Sequence, residues 1–425
     1  MTTPAQPPGP QPTEPKKTGP QPTAALTQPA RDPGVLGLLR AHLHGTDDTH
    51  HVTNLELLFD LVFVYCITSV TSLMEHHVGG RSVLEGLITM SVVWFGWCSY
   101  AWLGNQARAD EGLLRVAMIV AMGGMFFMAV SIPYAFDEHG NAALVLVAAY
   151  SVVRLVHIAV YLIAAGSDAN MRSVLTGMLG VILATLALLW IGALVGGHAQ
   201  VWWWLAAVVV DQAGVYFVRS SRWVLNSASH FSERFGLVVL IAVGESIVDL
   251  GAAGTRADMS VRLAFALLGG FTVAVSLWWL YFDVVSIVAG RVLRDSHGQR
   301  RATLARESYT YLHLLFVGGI VFAAMGLYLL VSEEHVDAGR YALDGGIALY
   351  LFGHLLFRLR NLGSVNRGRV VATVIALAFI PLTARFDPLG QLLLPAILLG
   401  GLVGWEVWAF RTWRSEVRRS ETIEV

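Results

Sequence analysis

The chain has 425 residues, of which 55% are hydrophobic and only 14% charged, with a formal net charge of −1. An ordinary soluble domain carries about 25% charged residues, so this chain cannot supply the charged shell of a soluble fold of its length. It reads as a polytopic membrane protein, and its near-neutral balance argues against a nucleic-acid partner, which needs a basic patch to neutralise phosphates.

Residues 1–50 hold most of the 14 prolines together with Gln and Thr, and they lack apolar periodicity. Such a segment buries too little surface to offset chain entropy and is expected to be a disordered cytoplasmic tail. No basic stretch there runs into an apolar core, so the first spanning helix is expected to direct insertion. Twelve apolar segments long enough to cross a bilayer then follow, at about 20 residues each. Their cores lie at 55–74, 82–103, 113–135, 142–165, 174–196, 201–218, 234–253, 262–289, 309–331, 341–358, 369–384 and 389–410, and Pro381 is expected to break the eleventh. Only helices or closed barrels satisfy every backbone group in lipid, and continuous Leu- and Ala-rich runs are helical. The fold class is therefore all-α, and residues 412–425 form a short second cytoplasmic tail.

Arginine placement sets the orientation. With a cytoplasmic N-terminus, the inner loops and C-terminal tail hold nineteen arginines, Arg234 and Arg369 among them. The outer loops hold five: Arg81, Arg256, Arg262, Arg340 and Arg385. This bias places both termini in the cytoplasm. The scarcity of Lys (only Lys16 and Lys17) and the Ala, Val and Gly richness resemble a high-GC bacterial genome, for which the inner membrane is the expected location. Cys66 and Cys98 both sit in apolar stretches and offer no disulfide framework.

Twelve segments invite a comparison of their halves. His51-Val-Thr-Asn-Leu-Glu56 opens the first segment and His230-Phe-Ser-Glu-Arg234 the seventh. Gly123-Gly124 in the third matches Gly318-Gly319 in the ninth, where close helix contact is expected. Arg154-x-x-His157 in the fourth faces His354-x-x-x-Arg358 in the tenth, and the second and eighth are both tryptophan-rich. A parallel repeat is expected, with units at 51–225 and 226–411.

An ionised group at a helix centre costs about 2.5–3.5 kcal/mol on insertion scales, so each one inside a span requires an explanation. Glu56 and Asp60 lie four apart on one face of the first segment. Asp211 and Glu245 come out near mid-depth. Arg154, His157, Asp283, His313, His354 and Arg358 fall in the cytoplasmic halves of their spans, and Glu233 lies at the mouth of the seventh. They read either as structural ion pairs, for example Asp60 with Arg154, or as a substrate or ion site. A metal centre at His157, His313 and His354 lacks any diagnostic spacing, and no cofactor is expected. Trp202, Trp203, Trp204, Trp405 and Trp408 fall at helix ends, as an interfacial belt does.

Four stretches carry a family likeness: Glu56-Leu-Leu-Phe-Asp-Leu-Val-Phe-Val64, Glu233-Arg-Phe-Gly-Leu-Val-Val-Leu-Ile-Ala-Val-Gly-Glu-Ser246, Trp278-Trp-Leu-Tyr-Phe-Asp283 and Tyr311-Leu-His-Leu-Leu-Phe-Val-Gly-Gly-Ile-Val321. Over about 51–411 the chain resembles the bacterial low temperature requirement protein A (LtrA) family, with Leu58 and Leu315 where many members have Phe and Pro. The resemblance implies a membrane protein tied to growth in the cold, without a settled biochemical activity. It raises Glu56, Phe59, Asp60, Glu233, Arg234, Gly244, Glu245, Tyr281 and His313 as motif positions.

The residues themselves point first to a transporter or permease for a small molecule or ion, coupled through intramembrane acids such as Asp60 or Glu245. A second reading is a cation channel of two six-helix units, for which a homodimer is the expected assembly. Leu58-Phe59-Asp60 and Phe235-Gly236-Leu237 stand where endolysosomal-type potassium channels carry Phe-Ser-Asp, and match it in neither unit. A third is a lipid-modifying enzyme, but there is no nucleophile elbow and no His-Glu-x-x-His. No enzyme activity is expected.

Overall fold

The computed structural model describes residues 52–76, 79–110, 112–138, 140–165, 169–217 and 225–424. The tail at 1–50, its histidines, and Arg219 and Arg222 lie outside the described residues. The described residues are predominantly helical, without a strand. The helices are α1 Asn54–His76, α2 Gly80–Gln106, α3 Gly112–Ser131, α4 Ala142–Ala165, α5 Ala169–Val195, α6 Gly197–Phe217, α7 Ala228–Gly254, α8 Val261–Phe282, α9 Val285–Arg294, α10 Gly298–Leu304, α11 Leu312–Val331, α12 Val336–Leu362, α13 Arg367–Leu382, α14 Pro388–Ala409 and α15 Arg411–Glu424.

Among the described residues, 11 helical runs are long and apolar enough to cross a membrane. Each apolar segment read from the sequence falls mainly on helix, and α6 alone of these falls short of that standard. It carries three tryptophans, Gln200, Asp211 and Gln212, which lower its hydropathy without ending it. Large apolar side chains such as Phe127, Phe265, Leu268 and Ile397 stand exposed on the outer faces, a surface suited to a lipid environment.

Helix starts and stops follow local chemistry. Ser227, Ser260, Asn366 and Asp387 cap α7, α8, α13 and α14 by accepting backbone N–H groups of the first turn. Gly363 ends α12 in the left-handed region at φ 63°. Two segments differ from the expected single spans. The eighth breaks at Asp283–Val284 between α8 and α9. The ninth extends back through a π-helical stretch, Ala305–Tyr311, to α10. Pro381 does not break the eleventh: α13 runs through it to Leu382 and closes in a 3-10 turn, Thr383–Arg385. Arg340, placed in an outer loop by the sequence, is buried and donates to the Ile380 carbonyl beside that proline.

Neighbouring helices pack as α1 with α2 and α3, α3 with α4, α4 with α5, α5 with α6, and α2 with α6. Beyond residue 226 they pack as α7 with α8 and α11, α11 with α12, α12 with α13, α13 with α14, and α8 with α14. The two sets meet where α1 and α2 touch α7 and α11.

The tightest seam is between α11 and α12, where glycines allow backbone to approach backbone. A Cβ built on Gly346 would stand 2.5 Å from the Ala323 nitrogen and 2.7 Å from the Gly319 oxygen. Gly124 likewise seats Val153, whereas Gly123 has open space. Of the expected tryptophan belt, Trp202 and Trp408 are exposed, but Trp204 is fully buried and donates to the Leu189 carbonyl.

Gly346→Leu should lower the thermal unfolding temperature of the purified protein in detergent, since overpacking costs about 1–3 kcal/mol or more. Gly345→Leu, with nothing within 4 Å, is the matched control and should be near neutral.

Candidate functional site

The charged heart of the molecule is built from two i,i+4 pairs facing each other across the α1–α7 contact. Glu56 and Asp60 project from α1, and His230 and Arg234 from α7. All four are fully buried. The Arg234 guanidinium bridges the acids, donating from Nη1 to Glu56 Oε1 at 3.2 Å and from Nη2 to Asp60 Oδ1 at 2.5 Å. His230 Nε2 lies 3.1 Å from both Glu56 oxygens, and the Trp97 indole of α2 donates to Asp60 Oδ1 at 2.7 Å. Asp60 Oδ2 has no hydrogen-bond partner among the described residues. Gly104 of α2 makes the room: a Cβ there would stand 2.6 Å from Glu56 Oε1.

Two corrections follow. Asp60 pairs with Arg234, not with Arg154. Arg234 is no loop residue: the Ser227 cap starts α7 at Ala228, ahead of the apolar core, and carries Arg234 into the bundle. His230 and Trp97 were not among the expected site residues, and Arg234 was raised only as a motif position of the family resemblance. The signal that could have found two of them is the His230-x-x-x-Arg234 spacing, which mirrors Glu56-x-x-x-Asp60.

The remaining expected residues fall into separate groups. Arg154 of α4 pairs with Asp211 of α6 at 2.8 Å and donates to Ser99 Oγ at 2.8 Å, with His157 buried one turn along. His354 of α12 lies 2.8 Å by Nδ1 from Arg369 of α13, whose guanidinium grips Glu406 of α14 at 2.8 and 2.9 Å. A guanidinium only donates, so His354 Nδ1 accepts and the ring proton sits on Nε2. Arg369, like Arg234, had been read as a loop residue. Glu406 was missed, although it is an acid in the last turn of an apolar helix.

His313 Nδ1 donates to the Ser308 carbonyl at 2.9 Å, which leaves Nε2 to accept the Tyr281 hydroxyl at 2.8 Å. Asp283, at the α8–α9 break, receives Arg414 and Arg418 from α15. Arg358 is half-buried and donates to Ser364. Asp283, Arg358, Arg369, Glu406 and Arg414 border one cleft of about 600 Å³. Glu233 is exposed, and Glu245 is half-buried and accepts the Thr68 hydroxyl.

The four motif stretches thus meet in pairs. Glu56 and Asp60 of the first are held by Arg234 of the second, and Tyr281 of the third by His313 of the fourth. Residues 51–403 match the description "Bacterial low temperature requirement A protein (LtrA)". The chain belongs to the LtrA family. It is 28% identical over 310 residues to an uncharacterized protein of Rhizobium meliloti (strain 1021), a match covering 70% of this chain and 75% of that one. No solved structure matches it. Leu58, in the first motif stretch, is half exposed on the outer face of α1, away from the ion cluster.

Arg234→Met should leave two buried carboxylates unpaired and destabilise the LtrA fold by about 3–5 kcal/mol. Arg234→Met with Asp60→Asn should recover part of that loss in the same detergent unfolding assay. Gly104→Ala should cost about 1–3 kcal/mol by pressing on Glu56.

Proposed function

We propose that this LtrA protein is a transporter of the bacterial inner membrane, coupled to proton movement through the Glu56–Asp60–His230–Arg234 cluster, and not an enzyme. The carrying observation is a charge count. Two carboxylates face one guanidinium and one imidazole, all fully buried. The set is neutral only when one exchangeable proton resides on His230 or on a carboxyl. An unbalanced charge in an apolar interior is costly, so gain or loss of that proton acts directly on the α1–α7 contact. Asp60 Oδ2 is the open position at which a proton can arrive.

The placement of this cluster fits a two-half architecture. Six of the helix pairings in α1–α6 have counterparts in α7–α14, among them α1–α3 with α7–α11, α3–α4 with α11–α12, and α2–α6 with α8–α14. This recurrence supports twelve spans in two parallel six-helix units. Sites between such units are where alternating access acts. The arginine bias, with the buried Arg234 and Arg369 set aside, supports cytoplasmic termini. Growth in the cold is taken to depend on this transport.

The protein reconstituted with a pH-sensitive dye inside liposomes provides the test. Inward gradients of sodium chloride, phosphate, nitrate, amino acids and sugars are imposed in turn. At least one gradient should shift the luminal pH beyond that of empty liposomes, and Asp60→Asn should reduce the shift at least tenfold. No shift with any solute, or an equal shift with Asp60→Asn, would overturn the reading. In cells, wild-type protein but not Asp60→Asn should restore growth of a deletion strain at low temperature.

A further inference from the structure

The cleft of about 600 Å³ bordered by α8, α9, α12, α13, α14 and α15 contains no residue of the central ion cluster. Its volume lies within the roughly 300–1,000 Å³ of small-molecule sites. Four arginines, Arg358, Arg367, Arg369 and Arg414, line it against two acids, Asp283 and Glu406. Arg369 is committed to Glu406 and His354, and Asp283 takes Arg414 together with Arg418. The surplus positive charge therefore rests on Arg358 and Arg367, neither of which has an ion pair among the described residues.

Arg358 sits in the last turns of α12, and its Nε donates to Ser364 Oγ at 3.2 Å. Both of its Nη groups are then left without a partner among the described residues. Neither is among the polar atoms shut away from solvent, although the side chain is half-buried where it lines the cleft. These groups can only donate, and the planar guanidinium fork matches two oxygens of one phosphate. Arg367, the first residue of α13, is exposed at the same cleft and adds a second cation across the α12–α13 turn. The rest of the rim is apolar. Leu362, Val365, Trp405, Phe410 and Trp413 line the cleft and are 41–46% exposed.

We propose that this cleft holds the headgroup of an anionic phospholipid from the leaflet on the arginine-rich side, the cytoplasmic one by the arginine bias. Its phosphate takes the Nη groups of Arg358 with Arg367 alongside, and its acyl chains leave over Val365, Trp405 and Trp413. Basic pockets between spanning helices on that side suit such headgroups. A free inorganic anion would use the two arginines and leave the apolar rim bare, whereas a lipid satisfies both. The site stands apart from the transport reading, because it shares no residue with the Glu56–Asp60–His230–Arg234 cluster.

Native mass spectrometry of the delipidated full chain in detergent, with equimolar phosphatidylglycerol and phosphatidylcholine of matched chains, is the test. Phosphatidylglycerol should be retained at least tenfold over phosphatidylcholine. Arg358→Gln should cut that preference at least fivefold, and Arg358→Gln with Arg367→Gln should abolish it, each with an unfolding temperature close to wild type. Arg411→Gln removes the same charge from an exposed residue of α15 that does not line the cleft, and should change the preference less than twofold. A tenfold excess of inorganic phosphate over lipid should leave most of the phosphatidylglycerol bound. Equal retention of the two lipids, an unchanged preference in the folded double variant, an equal loss in Arg411→Gln, or displacement by inorganic phosphate would overturn the proposal. None of these readings depends on proton flux, so failure of the liposome experiment leaves this site standing.

Discussion

An apolar bundle tolerates charge only where the opposite charge is delivered to the same depth, and the bridge from Arg234 to Glu56 and Asp60 meets that demand at the centre of this protein. Two acids on α1 hold α7 against them, because among the described residues Arg234 of α7 is the cation that pairs with both. The α1–α7 contact in turn requires α2 to come close enough for Trp97 to reach Asp60, and Gly104 is the residue without which that approach would collide with Glu56. Helix packing in lipid lacks the hydrophobic drive available in water. A buried ion cluster spanning the two sets of helices is therefore a main determinant of how they are joined.

The same logic recurs at smaller scale. Arg154 ties α4 to α6, and Arg369 ties α13 to α14 with His354 of α12 alongside. Arg414 and Arg418 bring α15 back over Asp283 at the α8–α9 break. Each pair neutralises a charge and fixes a helix register together, since a one-turn slip would leave both partners unpaired. The central cluster differs in its arithmetic: it has two acids for one arginine, with the His230 imidazole beside them.

The tryptophans of α2 serve this arrangement in a way a simple packing role would not require. Trp97 donates to a carboxylate, while Trp94 and Trp102 donate to successive acceptors of one threonine in the π-helical stretch. Each indole presents a large apolar face and one N–H, so it fills space between helices and satisfies a polar group at the same time. Through them α2 holds both the acids and the π-helical stretch.

By itself the sequence determined the class of protein, the helical segments and the family, because those depend on residue type and on short ordered motifs. Scarce charge and long apolar runs read directly as spans, and Glu56-x-x-x-Asp60 reads as one helical face. Partner choice was beyond it. Hydropathy started the seventh and eleventh segments too late and left Arg234 and Arg369 in loops, since charged residues lower a local average whether they end a helix or are buried in it. Which cation meets Asp60, that Arg154 turns to Asp211, that Trp204 is interior, and that Arg358, Arg369 and Arg414 gather round one cleft were decided only by tertiary structure. Those contacts join residues tens to hundreds of positions apart, and their geometry depends on how whole helices pack.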